Sequence, residues 1–403
     1  MCQNNKINIA LICTRFIDGG TETYILNKAR WLSRNNYVVT IVSSGGIKVN
    51  DIDNYISHLT INDIDKNPAL ISSKKKNDVT DKLIQLVNEK KITAVETYEL
   101  NPVKYVFLSN IILLGTKVNL VILSELGFKK DPILQLILFY FDSVNCLYTL
   151  NKSMVDMLNT QIFFKLKNIK IINLPVEHVP IYPTKIKPYI LSVCRMSKEK
   201  MYIKHLISDF KDLKSSLGNE ELMLYVVGDG PLLLSVKSLV NNLDSEVSSR
   251  IKLFGTIKGK PLQILFQNCW IYVGMGTTLI NAGVYGKPSI ISSFEDEFMH
   301  KALGIFGHRN NDSFGQRNKF SEPDSYKNYI NRFFNKSYYN NISKKTFDYV
   351  SGNYLLNDIM ISWDIIYKSI FRINKFLYRL THLLINLIMI IHKSWRKLKN
   401  VSI

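Results

Sequence analysis

The sequence has few cysteines and no pattern among them. The five, Cys2, Cys13, Cys146, Cys194 and Cys269, are scattered and never form CxxC, which argues against a disulfide framework and for reduced thiols in a cytoplasm. No His/Cys cluster has metal spacing. The dinucleotide fingerprint GxGxxG is missing, so a nicotinamide cofactor gains no support. The opening MCQNNKINIALIC lacks a basic stretch followed by a long apolar run and a small-residue cleavage site, so no secretory leader is expected. There is also no recognition-helix pattern, zinc finger or RNP-type aromatic strand. Nucleic acid is therefore not the expected partner of a chain whose net charge is +19.

Acid is missing from one place in particular. After Asp364 there is no Asp or Glu, while Lys368, Arg372, Lys375, Arg379, Lys393, Arg396, Lys397 and Lys399 follow. The same segment holds the apolar run LLINLIMII, residues 383–391, flanked by Phe371, Phe376, Leu377, Tyr378 and Trp395. That run is too short to cross a bilayer, which needs about 20 residues. A basic helix with an aromatic and aliphatic face reads instead as lying on an anionic membrane surface, where each Lys or Arg contributes on the order of 1 kcal/mol. The competing reading is a helix packed on the body with its basic face in water.

At 403 residues and 46% hydrophobic composition, the chain is long enough for two domains, each with its own core. Strand and helix signals alternate through the first half. KINIALICTR (6–15) predicts a buried strand, TETYILNKARWLSRNN (21–36) a helix and YVVTIVSSGG (37–46) a second strand. DKLIQLVNEKK, ITAVETYE and KVNLVILSEL (117–126) continue the series, and PILQLILFYF (132–141) predicts a core helix. A Pro-rich break follows at LPVEHVPIYPTKIKP (174–188). The alternation then resumes with YILSVCR (189–195), LMLYVVGDGP (222–231), IKLFG (251–255) and WIYVG (270–274), with helices between. This pattern predicts an α/β protein with two doubly wound parallel sheets. The expected domains are 1–180, 181–350 and a helical segment 351–403 that returns to the first domain and ends in the basic tail.

In such sheets ligands bind beyond the carboxyl ends of the strands, so the loops there carry the chemistry. DGGTETY offers Gly19 and Gly20 for close backbone approach, with Thr21 placed to cap the next helix. CRMSKEK offers Arg195, a planar fork, and Lys200, a mobile point charge, which together suit a diphosphate. GMGTTLINAGVYGKP (274–288) offers Gly276, Thr277 and Thr278 at a helix start, where free N–H groups and hydroxyls suit phosphate oxygens.

Four pieces in this order, GGTETYILNKARWLSRNNYVVTIVSS, ILSVCRMSKEK, LYVVGDGPLL and VGMGTTLINAGVYGKPSII, resemble the GT-B-fold glycosyltransferases of the group 1, family 4 type. The resemblance covers residues 6 to about 365 and leaves the tail outside. It implies two Rossmann-like domains facing a cleft, with Gly20 near the donor phosphate and Arg195 and Lys200 on the diphosphate of a nucleotide-sugar. Members usually carry two acidic residues in the last motif. Here the earlier position falls on or near Val273 and the ribose-binding position on Asn281, which can still hydrogen-bond a ribose hydroxyl. Glu295 and Glu297 lie just downstream. Cys194 and Met201 stand where glycines are common.

The resemblance also implies a polar residue at the end of a central strand facing the acceptor. Glu125, in SELGF, takes that place as a candidate for contacting sugar hydroxyls or removing the acceptor proton. Glu96 and Glu99 are rivals. The acidic pairs DID at 51–53 and 63–65 fall in polar, Asn-rich stretches, so neither is expected to bind a metal. No metal and no cofactor are expected beyond the nucleotide-sugar co-substrate.

The expected function is transfer of a sugar from a nucleotide-sugar to a membrane-associated glycan or lipid-linked acceptor, with retention at the anomeric carbon implied by the resemblance. The expected location is peripheral, on the inner face of the cell membrane. Sparse Ala beside abundant Asn, Lys and Ile suggests an AT-rich bacterial genome, hence surface polysaccharide or lipopolysaccharide assembly. Two alternatives stay open: a sugar-nucleotide enzyme such as an epimerase, and an inactive GT-B scaffold at the membrane, which the missing acidic pair would suit.

Overall fold

The computed structural model describes residues 7–17, 19–123, 131–177, 186–213, 216–294, 300–371 and 373–401. It divides into two compact units, Met1–Asn173 together with Asn357–Ile403, and Leu174–Leu356.

The first unit runs β1 (Asn8–Ile12), α1 (Gly20–Arg34), β2 (Val38–Ser43), β3 (Ser57–Thr60), α2 (Ser73–Glu89), β4 (Ala94–Thr97), α3 (Leu100–Leu108), β5 (Lys117–Ile122), α4 (Pro132–Ser143), β6 (Leu147–Thr149), α5 (Lys152–Gln161) and β7 (Lys170–Ile171). Its seven strands pair in the order β3-β2-β1-β4-β5-β6-β7, all parallel. A parallel sheet covered by helices is buried on both faces, which is why its strands read as apolar runs without alternation. All six residues of β5 are buried. PILQLILFYF forms α4, started by the Asp131 carboxylate accepting from the Leu134 amide at 3.1 Å. Its Ile133, Leu134, Ile137, Leu138, Tyr140 and Phe141 are buried in the core.

The second unit runs β8 (Tyr189–Val193), α6 (Tyr202–Phe210), a short hairpin of β9 (Ser216–Leu217) and β10 (Glu220–Glu221), β11 (Met223–Val227), α7 (Leu233–Asn241), α8 (Ser245–Ser249), β12 (Ile251–Leu253), α9 (Gly259–Asn268), β13 (Ile271–Gly274), α10 (Thr277–Gly283), β14 (Ser289–Ser292), β15 (Ala302–Ile305), α11 (Tyr326–Arg332) and α12 (Lys336–Asn353). The main sheet has the order β12-β11-β8-β13-β14-β15. It is parallel except where β15 runs against β14.

Two further helices, α13 (Leu356–Lys368) and α14 (Lys375–Val401), bring the chain back onto the first unit. Trp363 of α13 is fully buried, 5.1 Å from the ring of Tyr148. Tyr37 donates to Asp364, and Lys117 donates to the Ser369 hydroxyl at 2.7 Å. On α14, Tyr378, Ile385 and Met389 are buried, with the Tyr378 ring 4.7 Å from Phe107. Full burial of each such side chain contributes about 1.5–3 kcal/mol. The tail therefore packs on the body along one stripe. Among the described residues no helix is long and apolar enough to cross a membrane.

One polar cluster lies inside the first unit. Lys28 of α1 and Glu96 of β4 are both fully buried and meet through two 2.7 Å contacts. Tyr367 of α13 donates to the same carboxylate, and the Lys28 ammonium sits 3.1 Å from the centre of the Trp363 ring. The cluster pins helix, sheet and returning helix together. It assigns Glu96 to the core, where it is out of reach of a substrate.

Candidate active site

Strand order reverses between β1 and β4 in the first unit and between β8 and β13 in the second. At such a switch point neighbouring loops leave the sheet in opposite directions and open a crevice at the carboxyl ends. The candidate loops of each unit lie at these strand ends.

In the second unit, the loop leaving β8 carries Arg195 and then Lys200, the latter on a single turn of 3-10 helix, Lys198–Lys200. The loop is stitched to the one leaving β11: the Cys194 amide donates to Val227 O at 3.0 Å and the Met196 amide to Asp229 O at 2.8 Å. Gly228, at φ 136°, lies so close that a β-carbon would overlap the Cys194 carbonyl oxygen. The turn VGDGP thus holds the Arg195 loop in place. Arg195 is exposed and reaches Glu199 at 3.1 Å. Lys200 is half-buried, and among the described residues its ammonium has no hydrogen-bond partner. Burial lowers its pKa, opposed by Cys194 and Glu199. A partly desolvated cation without an acceptor is the state an incoming anion would relieve.

The loop leaving β13 stands beside it. Tyr272 Oη donates to Thr278 Oγ1 at 2.6 Å and lies 3.3 Å from Val193 O, tying the end of β13 to the end of β8. Thr278 passes its own proton to Met275 O at 2.8 Å, so its hydroxyl is committed to the loop. The Gly276 amide is likewise taken, by Phe314 O at 2.7 Å. Thr277 remains half-buried with its hydroxyl unpaired among the described residues, and first-turn N–H groups have no acceptor within a helix. Asn281, on the next turn of α10, is also half-buried with an unpaired carboxamide among the described residues. Val273 is fully buried in β13, so no acidic side chain enters from that position.

In the first unit, Gly20 is the exposed first residue of α1. Thr21 does not cap that helix. The cap position is Gly19, and Thr21 already lies in the first turn. The side chain turned onto the Gly19 α-carbon is instead Glu22, only 7% exposed. Burial raises its pKa, with Glu99 adding to the effect. Glu99, leaving β4, accepts a hydrogen bond from the Thr14 amide at the end of β1. Glu22 and Glu99 thus form an acidic pair at this switch point. The sequence reading passed over Glu22, although its signal was present as an acid in the first turn after Gly-Gly.

Glu125, Glu295 and Glu297 lie outside the described residues. The two DID segments fall on polar turns: Asp51 closes a 3-10 turn, Asp53 holds Arg30 at 2.6 Å, and Asp63 lies 3.4 Å from Lys75.

Residues 179–344 match the family model for glycosyl transferases group 1. They form a group 1 glycosyltransferase domain. The whole chain is similar to a glycosyltransferase from Rickettsia africae ESF-5, with TM-score 0.67 and 16% identity over 91% of this chain and 99% of that one. It is similar to the lipopolysaccharide outer core galactosyltransferase WaaB in its apo form, with TM-score 0.60 and 16% identity over 89% and 100%. The pneumococcal O-GlcNAc transferase GtfA, in complex with UDP and GlcNAc, gives TM-score 0.58 and 12% identity over 91% and 99%. No curated protein matches. At these identities the solved structures establish the fold, which is GT-B: two Rossmann-like units followed by a helical C-terminal segment. The family match over residues 179–344, with the GT-B fold, indicates a glycosyltransferase.

Proposed function

We propose that the glycosyltransferase uses the switch point of its second unit to bind the diphosphate of a nucleotide-sugar. The observation that carries this reading is Lys200, a half-buried ammonium without a hydrogen-bond partner among the described residues, beside Arg195 in the group 1 domain. In the proposal, Lys200 supplies a point charge and Arg195 a bidentate fork, with the fork exchanging Glu199 for phosphate oxygens. The first-turn amides and hydroxyl of Thr277 complete the phosphate cradle, while Gly276 and Thr278 act by shaping the loop. Asn281 serves the ribose hydroxyls. These groups would accelerate transfer by positioning the donor and by stabilising the departing diphosphate. Gly20 offers exposed backbone for approach to the donor phosphate, and Glu22, Glu99 and Glu125 offer carboxylates for acceptor hydroxyls. The cationic cradle makes a metal unnecessary for neutralising the leaving group.

The acceptor proposed is a membrane-associated glycan or lipid-linked sugar in bacterial surface polysaccharide or lipopolysaccharide assembly, with retention of anomeric configuration and a peripheral location on the inner face of the membrane. WaaB, a lipopolysaccharide outer core galactosyltransferase, supports the acceptor class by similarity. The buried Val273 and the neutral Asn281 favour a second reading, in which donor is bound but turned over slowly or not at all.

A panel of UDP-, GDP-, ADP- and CMP-sugars tests the proposal by calorimetry and by release of free nucleotide. Saturable binding of one donor, lost in Arg195→Ala and Lys200→Ala, is expected. Binding without turnover in the presence of glycan acceptors would select the second reading, and no binding by folded protein would overturn both.

A further inference from the structure

The helix α14 is apolar on two opposite sides. One stripe, Tyr378, Ile385 and Met389, is buried against the first unit. The other, Phe376, Leu380, Leu383, Leu384, Leu387, Ile390 and Ile391, is exposed, with Phe376 at 78%, Leu383 at 66% and Ile390 at 61%. At about 100° per residue these seven fall within a band about 120° wide, centred opposite the buried stripe, and they extend about 22 Å along the axis. A packed helix ordinarily shows a single apolar stripe with a polar outer face. Seven large exposed side chains in one row are instead the mark of a surface waiting for an occupant.

The charge pattern says which occupant. Lys375 and Arg379 are exposed and lie one turn apart along one edge of the exposed stripe. No acidic residue follows Asp364, so the cations on this helix meet no carboxylate of their own segment. A second copy of the chain would bring an equally basic, acid-free tail against this one, within a molecule whose net charge is already +19, and like charge opposes that contact. An anionic bilayer offers apolar depth for the stripe and negative headgroups for its edge.

We propose that the exposed stripe of α14 is a membrane-docking face, lying in the headgroup region of an anionic bilayer while the opposite stripe keeps the helix fastened to the first unit. The face belongs to the first unit and the donor-binding residues to the second; the inference rests on the peripheral location proposed above and holds or fails independently of the donor reading.

The test uses the full chain and sedimentation with vesicles of phosphatidylglycerol and phosphatidylethanolamine, compared with phosphatidylcholine vesicles. The wild-type protein is expected to partition onto the anionic vesicles at least about tenfold more strongly, with binding weakened by salt. The double variant Leu383→Glu, Leu387→Glu should lose about tenfold or more of this partition, while its melting temperature and donor affinity stay unchanged because both residues face away from the body. Lys375→Glu, Arg379→Glu should lose partition at low salt. Equal partition onto phosphatidylcholine, or undiminished binding by the leucine variant, overturns the proposal. So does a dimer seen by light scattering that the leucine variant abolishes, since that would give the face to a second copy.

Discussion

The two Rossmann-like units share a topology and differ in what they place at its switch point. In each, the loop after the first strand is braced by the loop after the strand that pairs with it on the far side from the switch, and in each a glycine makes the close approach. Gly46, at φ 147°, lies against the Phe16 carbonyl in the first unit as Gly228 lies against the Cys194 carbonyl in the second. The frame is the same, but the residues mounted on it differ, even though Lys48 acts on Glu22 in the first unit and Glu199 contacts Arg195 in the second. The first unit presents Glu22 and Glu99, and the second presents Arg195, Lys200 and neutral hydroxyl and amide groups. A common scaffold thus offers carboxylates suited to hydroxyls on one unit and cations suited to phosphate on the other. The specialisation lies in a few side chains mounted on the loops.

The largest test of this contrast concerns an acid that does not belong to the site. Glu96 sits two residues before Tyr98 and three before Glu99, yet it is sealed in the core with Lys28. Removing one partner of a buried ion pair leaves an uncompensated charge, a loss of about 3–5 kcal/mol. Lys28→Met or Glu96→Gln alone should therefore lower urea stability of the first unit by that order, while the double variant should recover most of the loss. If Glu96→Gln instead leaves stability intact and abolishes transfer, Glu96 would move from the core to the chemistry and the contrast drawn here would need revision.

Next come the bracing glycines. Alanine at either Gly46 or Gly228 must hold a positive φ and place a β-carbon against a backbone carbonyl, which costs about 1–3 kcal/mol for the backbone conformation before any overlap is counted. Both variants should melt at lower temperature. If the second-unit site is the donor site, only Gly228→Ala should also weaken donor binding. Equal loss of donor binding in both would mean that the two loops are not functionally distinct.

How far the sequence could foresee all this depends on separation along the chain. The buried parallel strands were legible as apolar runs closed by Gly or polar residues, and the glycine- and hydroxyl-bearing loops followed from them. Thr21 is expected to cap α1 because a threonine after Gly-Gly suits that role, but the helix begins two residues before such a cap would start it and Gly19 takes the cap. Lys28 and Glu96 are 68 residues apart, and nothing local marks either as buried. The role of Gly228 depends on Cys194, which only the register of β11 with β8 brings near. The run LLINLIMII announced an apolar helix, but the division of α14 into a packed and an exposed stripe needs the position of α4. Likewise, Thr278 was read as a free hydroxyl because Tyr272, which occupies it, looks from the sequence like any other strand residue.

A smaller effect separates the two cations. Truncating Arg195 or Lys200 to Ala should weaken donor binding by about 1.5–3 kcal/mol, the range for hydrogen bonds to charged groups, with little change in melting temperature for the exposed Arg195. The pH dependence should assign the losses. Burial places the pKa of Lys200 below that of an ordinary lysine. Its charge is complete below that lowered value and disappears as pH rises through it, so donor affinity should fall on the alkaline side earlier than free lysine would titrate. Lys200→Arg should flatten this fall, because guanidinium stays charged. An unchanged profile in Lys200→Arg would assign the pH response to another group.

The smallest expected effect falls on Glu199, a carboxylate that reaches into the cationic loop. Its contact with Arg195 joins two exposed side chains, and such pairs contribute about 0–1 kcal/mol. If Glu199 only parks the guanidinium until a donor arrives, Glu199→Gln removes a competitor for the fork and leaves the fold alone. Donor affinity should then rise by up to about fivefold, corresponding to less than about 1 kcal/mol, with stability unchanged. If Glu199 instead orients Arg195 toward the phosphate, the same substitution should lower affinity. Calorimetry at low and moderate salt distinguishes the two, because the gain from removing a competing surface charge shrinks as salt screens it, whereas loss of an orienting contact persists.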